Sequence, residues 1–252
     1  MKNITIVGSG NLATNLAIEL NKKNFNIVEI YSRSESSAIK LSEIINSTYT
    51  TSLNNLKKTD LFIVCVSDDA IEQVIENIKY NAIPIIHTSG VTGLDVFKDK
   101  EIYGVLYPIQ TFKKNISISF KDIPICIEAN DISLKDHLYN IANCISDSVY
   151  YINTETRKKI HLAAVFACNF SNHMITIAEN ILNEKNLEIE LLDKLINQNI
   201  SNIKKYSPKL SQTGPAKRND KKTIEKHLKL LKDDNLKKIY LDISRNISKE
   251  HT

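Results

Sequence analysis

The sequence has no closely spaced pair of cysteines. Its four cysteines lie far apart in the chain, at Cys65, Cys126, Cys144 and Cys168. A structural zinc site or a disulfide framework needs clustered ligands at short spacings. We therefore expect no metal and no disulfide, and we expect the thiols to be small residues of the core.

The sequence also has no uninterrupted apolar run of the length that a membrane span needs, and no positively charged leader before an apolar segment. A spanning helix needs about 20 mostly apolar residues, and a signal peptide needs a basic region followed by an apolar one. We therefore expect a cytoplasmic protein with no membrane partner.

A concentration of charge of one sign is missing as well. The net charge is +4, and the lysine-rich segment 204–238 is interleaved with aspartate and glutamate. Nucleic-acid binding needs a basic patch with aromatic side chains that stack on bases, so we expect no nucleic-acid partner. With 252 residues, of which 42% are apolar, the chain is long enough for one large core or two modest ones.

A glycine-rich turn stands near the N-terminus, in ITIVGSGNLATNLAIEL (residues 4–20). The β-branched run before it predicts a strand, and the leucines after it recur at helical spacing. In the G-x-G-x-x-A form of the dinucleotide fingerprint, Gly8 permits the turn, Gly10 lets a ligand approach, and Ala13 lets the helix pack closely. A turn without a ligand is the alternative. We predict that the helix start binds a pyrophosphate, through Gly8, Ser9, Gly10, Asn11, Leu12 and Ala13.

The end of the second predicted strand favours NADP over NAD. The strand ends at Tyr31, about 20 residues after the glycines as the fingerprint requires, and Ser32, Arg33 and Ser34 follow it. An acidic residue here would bind the 2′-hydroxyl of NAD, whereas an arginine between hydroxyl groups suits the 2′-phosphate of NADP. The alternative is that a serine caps the next helix and that Arg33 is a surface charge. We predict NADP as the cofactor, with these three residues at its 2′-phosphate.

Strand and helix patterns alternate through the first part of the chain and then give way to helices. The predicted strands are residues 4–7, 26–31, 61–66, 83–87, 102–106, 123–127 and 149–152, with helices at 35–45, 69–78 and 134–145. The later helices are predicted at 154–183, 189–205, 222–231 and 236–247. This alternation indicates an α/β fold with a doubly wound parallel sheet of the Rossmann type. We predict a dinucleotide-binding domain at residues 1–153 and a helical substrate and dimerisation domain at residues 154–252.

Two pairs of residues follow buried strands of this sheet. In a doubly wound sheet the ligand lies across the carboxyl ends of the strands. We expect Val66 and Ser67 to lie beside the ribose and phosphates, and Thr88 and Ser89 beside the nicotinamide. An ordinary strand-to-helix turn is the alternative for each pair.

The predicted helix at residues 160–182 has a polar stripe on an otherwise apolar surface. At about 100° per residue, the stripe contains His161, Asn169, Asn172, His173 and Thr176. Such a helix is expected to be buried, and its polar groups then need partners. We predict that the stripe faces the cleft between the domains, with His161 as catalytic acid or base and Asn169 and His173 orienting the substrate. The alternatives are satisfied core residues or a stripe that faces solvent.

Two loops, residues 107–112 and 212–220, are candidates to close over that cleft. The second combines a Gly-Pro turn with two cations and an acid, which suits an anionic substrate or a partner subunit. The alternative is a plain connection between helices whose charges face water.

Five stretches together resemble a bacterial family of Rossmann-like proteins with a C-terminal helical domain of unknown function. They are GSGNLATNLA at 8–17, HTSG at 87–90, YPIQTF at 107–112, HLAAVFACNFSNH at 161–173 and QTGPAKRND at 212–220. The family is akin to NADP oxidoreductases of the deazaflavin-dependent kind and to pyrroline-5-carboxylate reductase. The resemblance implies a dinucleotide-binding domain joined to a helical domain similar to the C-terminal domain of 6-phosphogluconate dehydrogenase, often in a homodimer whose helical halves pair. It implies no particular substrate.

The sequence differs from a β-hydroxyacid dehydrogenase at the expected catalytic position. Such an enzyme is expected to have a lysine four residues before an asparagine on the first long helix. Here Val165 and Cys168 stand four residues before Asn169 and Asn172. That mechanism is therefore not expected.

These features predict an NADP-dependent oxidoreductase that moves a hydride to or from a small carbonyl, imine or related substrate. The first alternative is a non-catalytic NADP-binding sensor or assembly module. The second is an enzyme for a different nucleotide, such as a nucleotide sugar. The glycine turn does not separate an enzyme from a sensor because both need it, whereas substitution of His161 or His173 does.

Overall fold

The computed structural model describes residues 1–114, 116 and 118–251. The strands are β1 (Asn3–Val7), β2 (Asn26–Tyr31), β3 (Thr48–Thr50), β4 (Leu61–Val64), β5 (Ile85–His87), β6 (Tyr103–Pro108), β7 (Ile125–Ala129) and β8 (Val149–Tyr151). The helices are α1 (Asn11–Lys22), α2 (Glu35–Ile45), α3 (Ile71–Glu76), α4 (Ile132–Ile145), α5 (Thr154–Ala164), α6 (Ser171–Asn183), α7 (Asp193–Tyr206), α8 (Pro208–Ser211), α9 (Lys221–Leu230) and α10 (Asp234–His251).

The eight strands form one sheet in the order β3-β2-β1-β4-β5-β6-β7-β8. The first six strands along the chain pair in parallel, and the strand order reverses between β1 and β4. This confirms the predicted doubly wound, Rossmann-like sheet. The strand directions at one edge of the sheet were not predicted from the sequence. There β7 pairs antiparallel with β6, and β8 runs parallel to β7.

Apolar residues cover both faces of the sheet. On one face, α1, α2 and α4 pack through leucines such as Leu16, Leu41 and Leu138 onto the isoleucines of the central strands. On the other face, α3 and the turn that contains Phe97 pack onto Phe62 of β4. Burial on both faces explains why β4 reads as a continuous apolar run.

Side-chain caps fix where several helices begin. Ser34, Asp131, Asn153 and Asp220 each precede a helix, and each accepts a hydrogen bond from a backbone N–H three residues further on. Such a cap satisfies one of the free N–H groups at a helix start. The beginnings of α2, α4, α5 and α9 are therefore set locally by sequence.

The chain divides into two compact units, Met1–Asn172 and His173–Thr252. The last strand ends at Tyr151, and every later element is helical. The sequence-based division at residue 153 marks that change in secondary structure, whereas the compact units divide inside the long helix that follows. Within the second unit, apolar side chains of α6 and α10 line a cavity of about 250 Å³.

A long helix, Thr154–Asn183, is formed by α5, a turn of π-helix at Val165–Phe170, and α6. By length and composition it is apolar enough to cross a membrane, and none of its most apolar stretch is buried. The sequence predicted no such segment because histidine and asparagine interrupt the apolar run. The expectation that this helix is buried is wrong for the single chain, since Leu162, Phe166 and Phe170 are exposed.

Candidate active site

Close backbone contacts shape the glycine turn after β1. Gly8 has a φ of 133°, a conformation that favours glycine, and its N–H donates to the carbonyl oxygen of Tyr31 at 2.8 Å. A Cβ atom on Gly8 would lie 2.2 Å from the carbonyl oxygen of Cys65. A Cβ atom on Gly10 would instead meet nothing within 4 Å. The backbone at the start of α1 therefore faces open space.

A cleft of about 820 Å³ opens beside this turn. The predicted residues that line it are Gly8, Ser9, Gly10, Asn11, Leu12, Ser32, Arg33, Ser34, Val66 and Ser67. Ala13 is fully buried in the core, where its small side chain lets α1 pack on the sheet.

The cleft has further lining residues that the sequence analysis did not assign to the cofactor. They are Tyr31, Leu53, Cys65, Ala70, Gln73, Val74 and Asn77. Gln73 and Asn77 are four residues apart at α3, so they share one face of that helix. Two amide side chains at this spacing, directly after the β4 loop, were a signal that could have identified this wall.

Serine hydroxyl groups are arranged at the end of β2. The Ser9 hydroxyl donates to Oγ of Ser32 at 2.7 Å, and the backbone N–H of Ser34 donates to the same Oγ at 3.2 Å. Ser34 caps α2 by accepting from the N–H of Ser37 at 3.4 Å. Arg33 is exposed and lines the cleft. The helix-capping alternative therefore holds for Ser34, while Ser32 and Arg33 remain on the cleft wall.

The residues of this cleft fit a dinucleotide. Gly10 leaves room at a helix N-terminus, where backbone N–H groups and the helix dipole favour a phosphate. Among the described residues that line the cleft, Arg33 is the one cation and none is a carboxylate. The electrostatics of the cleft therefore favour an anionic ligand.

The residues after β5 are held by bonds within the fold. The Thr88 hydroxyl donates to the carbonyl oxygen of Val64 at 3.4 Å, and Oγ of Ser89 accepts from the N–H groups of Val91 and Thr92. Thr88 and Ser89 are both buried, and neither lines the cleft. Their contact with nicotinamide stays a prediction.

His87, at the end of β5, organises this loop and was not singled out as a site residue by the sequence. Its Nδ1 accepts from the N–H of Ser89 at 3.1 Å, and its Nε2 lies 3.3 Å from the carbonyl oxygen of Gly93. Burial, together with the charge of Arg157, lowers the pKa of His87 to about 4. The ring is therefore neutral at physiological pH and holds the two ends of the turn together.

His161 meets Tyr107 above Gly90. The Tyr107 hydroxyl lies 3.1 Å from Nδ1 of His161, and the two rings are in an edge contact with centroids 5.9 Å apart. A Cβ atom on Gly90 would lie 2.4 Å from that Nδ1 and 2.8 Å from Cζ of Tyr107. Among the described residues, Nε2 of His161 has no hydrogen-bond partner. The structure thus places the predicted His161 in contact with a residue of the 107–112 loop.

Tyr107 is a functional candidate that the sequence analysis did not assign. Burial raises the pKa of its hydroxyl, so the group stays protonated at neutral pH and is able to donate to Nδ1. A tyrosine and a histidine so arranged are able to hold or move a proton. The sequence signal for Tyr107 was its place in YPIQTF, directly after the predicted strand at residues 102–106. Nothing in that stretch indicated a contact with His161.

Asn169 and His173 are not part of this contact. Both side chains are exposed, and His173 begins the second compact unit. The predicted stripe assumed a regular α-helix, but the π-helical turn at Val165–Phe170 adds about one residue to a turn. Later residues are therefore rotated by about 100° relative to their places in a regular α-helix. The substrate-orienting roles of Asn169 and His173 stay predictions. In the first unit Cys168 instead faces the 107–112 loop, with Sγ 3.7 Å from Oγ1 of Thr111.

The 212–220 loop, in the second unit, is tied to its own neighbours. Nζ of Lys217 donates to the carbonyl oxygen of Gln212 at 2.7 Å, and Asp220 accepts from the N–H of Thr223 at 3.1 Å to start α9. Arg218 is exposed. These bonds show a structured connection between helices, and a role with substrate or partner stays a prediction.

A doubly wound sheet with an open glycine turn at its first strand defines a nicotinamide-dinucleotide-binding fold of the oxidoreductase class. Residues 3–86 match the family model described as NADP oxidoreductase, coenzyme F420-dependent, and residues 123–247 match the domain of unknown function DUF2520. The structure of a Bacteroides fragilis protein described as an NADP oxidoreductase is 39% identical, covers 98% of each chain and has a TM-score of 0.93. The chain therefore belongs to this family, in which an NADP-oxidoreductase domain precedes a DUF2520 domain.

More distant structures share the fold. An imine reductase from Myxococcus stipitatus in complex with NADP+ is 10% identical, covers 98% of this chain and 92% of its own, and has a TM-score of 0.68. A pyrroline-5-carboxylate reductase from Coxiella burnetii is 18% identical, covers 100% and 98%, and has a TM-score of 0.59. Among curated proteins, none matches the sequence. The resemblance drawn from the five motifs is confirmed at the level of family and fold.

Proposed function

We propose that this protein is an NADP-dependent oxidoreductase for a small carbonyl, imine or related substrate. The observation that carries the proposal is the contact between Tyr107 and His161 above Gly90, in the same unit as the dinucleotide cleft. The family supplies the class of reaction, and the imine reductase and pyrroline-5-carboxylate reductase folds motivate the choice of substrates.

The preference for NADP rests on the end of β2. Arg33 provides a planar cation beside the oriented hydroxyl of Ser32, and this combination suits a phosphate dianion. The described lining has no carboxylate for a ribose 2′-hydroxyl. Both features support NADP over NAD.

The chain's own residues would handle the proton. When bound, the nicotinamide supplies or accepts a hydride at C4. For reduction, His161 in its charged form gives the proton on Nε2 to the substrate oxygen or nitrogen and becomes neutral. Nδ1 keeps its own proton throughout this step and donates it to the oxygen of the Tyr107 hydroxyl, both in the charged ring and in the neutral one. For oxidation, the neutral ring takes the proton back.

Asn169 and His173 stay predicted substrate-orienting residues. Both side chains are exposed, and no contact to Tyr107 is formed by either among the described hydrogen bonds. We also propose a homodimer formed through the helix Thr154–Asn183, because its apolar surface is uncovered in the single chain.

The experiment has two stages. Fluorescence titration with NADPH and NADH measures cofactor affinity, and a panel of small aldehydes, ketones and cyclic imines is then screened by loss of NADPH absorbance. With an accepted substrate, His161→Gln is expected to lower turnover by about 10²–10⁴-fold, while the Kd for NADPH stays within about twofold. His137→Gln, on α4, is the matched control and keeps wild-type turnover.

Other results would replace the proposal. Binding of NADPH with no turnover across the panel would favour the sensor or assembly module. If the protein binds neither NADPH nor NADH but binds a nucleotide sugar, an enzyme for that other nucleotide would be favoured.

A further inference from the structure

Arg157 is a charged side chain that is completely buried in the first unit. Its Nη1 donates to the carbonyl oxygens of Ser89 at 2.8 Å and Thr92 at 2.7 Å. Its Nη2 donates to Oε2 of Glu128 at 3.1 Å and to Oγ1 of Thr154 at 3.3 Å. One side chain thus joins the loop after β5, strand β7 and the first turn of α5. Arg157 could not be predicted as a buried residue from the sequence, because Arg-Lys-Lys at residues 157–159 looks like a solvated helix face.

Glu128 completes this connection from the other side. Its carboxylate accepts from the N–H of Thr154 at 2.7 Å and from the hydroxyl of the same residue at 2.9 Å. The carboxylate therefore binds the N-terminus of α5, where a negative charge is favoured, and also binds Arg157. The position of α5 is fixed at its first turn by two charged groups.

A buried ion pair of this kind is weak evidence for stability. Removing two charges from water is costly, and well-packed apolar residues often serve a fold as well or better. The guanidinium, unlike an apolar side chain, specifies a geometry, since its rigid fork fits several acceptors at once. What it specifies here is the distance between α5 and the 89–92 loop.

That distance determines where His161 lies. His161 is one helical turn after Arg157, on the same face of α5. Gly90 lies between the two carbonyl groups that Arg157 binds, and a Cβ atom on Gly90 would lie 2.4 Å from Nδ1 of His161. The loop and the helix are therefore in close contact at the point where His161 meets Tyr107.

We propose that Arg157 is a positioning residue, which with Glu128 holds α5 against the 89–92 loop so that His161 keeps its hydrogen bond to Tyr107. The inference rests on the proposed function, because it gives the Tyr107–His161 contact a role in proton transfer. It goes beyond that function by assigning a task to a charge that touches neither substrate nor cofactor.

The test uses the ring nitrogens of His161, observed by nuclear magnetic resonance in the full chain with ¹⁵N-labelled histidine. His161→Gln identifies the signals by their loss, and Tyr107→Phe shows the ring without its partner. In Arg157→Lys, which keeps the charge but not the fork, the tautomer ratio of His161 is expected to move from the wild-type value toward that of Tyr107→Phe. The Kd for NADPH stays within about twofold of wild type. Lys158→Met, on the same helix turn and half exposed, keeps wild-type signals.

Wild-type His161 signals in a folded Arg157→Lys chain would overturn the proposal. Altered signals accompanied by a loss of NADPH affinity would also overturn it, because they would show general damage to the unit. If Arg157→Lys does not fold, the double variant Arg157→Met, Glu128→Leu removes both charges together. It is expected to fold and to show the altered His161 signals. Failure of this variant to fold, or wild-type signals in it, would make the pair a stabilising element only. Because no substrate is needed, the result is separate from a failure of the proposed function, which would show as absent NADPH binding or turnover in the wild type.

Discussion

Gly90 lies directly against the ring of His161, so closely that a single added methyl group would lie 2.4 Å from Nδ1. The two residues come from the loop after β5 and from α5, far apart in the chain. Their contact leaves no room between loop and helix at the position where the Tyr107 hydroxyl reaches the same nitrogen. The close approach is therefore a structural requirement of the candidate acid–base pair.

Gly90→Ala is expected to separate His161 from Tyr107. The added Cβ atom must displace one of the two rings, and a shift of about 1 Å at a catalytic group costs on the order of 10²-fold in rate. Turnover of an accepted substrate, measured by NADPH absorbance, should fall by about that factor, while NADPH binding is kept. Val91→Ala, in the same loop and exposed, should behave as wild type. Full activity of Gly90→Ala would show that the close contact has no role in the reaction.

Arg33→Ala is expected to weaken NADPH binding more than NADH binding. A charge-assisted hydrogen bond to phosphate contributes about 1.5–3 kcal/mol, which corresponds to roughly 10–150-fold in Kd. Fluorescence titration of both cofactors measures the two losses, and Lys40→Ala, exposed on α2, is the control. Equal losses for NADPH and NADH would remove Arg33 from the 2′-phosphate.

Local patterns in the sequence predicted the first half of the fold well. The predicted ranges 26–31 and 35–45 match β2 and α2 as observed, since a capping serine and a regular apolar period are local signals. The strand β3 was missed because its three residues are too short to show a period. The antiparallel direction of β7 was not predicted because strand direction depends on tertiary packing.

The candidate site was predictable only in part. The glycine turn and Arg33 follow from a local motif, but the contact of Tyr107 with His161 spans 54 residues and depends on how α5 packs. The π-helical turn at Val165–Phe170 could not be predicted from a 3.6-residue period, and the roles of Asn169 and His173 stay predictions. Arg157 was missed because a buried arginine and a solvated one look alike in sequence.

The pKa of His87 predicts a loss of stability in acid. Burial lowers this pKa from 6.5 to about 4, so the unfolded chain binds the proton more tightly than the folded one. The contribution of His87 is therefore fully present above about pH 6.5, is lost as the pH falls toward 4, and amounts to about 3 kcal/mol at most. Urea unfolding of wild type and His87→Gln at pH 7, 5.5 and 4.5 tests this, with His137→Gln as control. If the free energy of unfolding changes with pH equally in all three proteins, His87 is not held neutral by the fold.

The exposed helix Thr154–Asn183 predicts a dimer that apolar contacts hold together. At 1.5 Å per residue it is about 45 Å long, and Phe166 and Phe170 on it are 62% and 49% exposed. Single chains rarely expose apolar patches larger than a few hundred Å², and a two-fold axis would let the same surface cover itself. Light scattering should give twice the mass of one chain for the wild type and for Ile132→Ser, whose apolar residue is exposed on α4. Phe166→Ser with Phe170→Ser should shift the mass toward one chain. A wild type that is monomeric in buffer but binds lipid vesicles would assign this helix to a membrane instead.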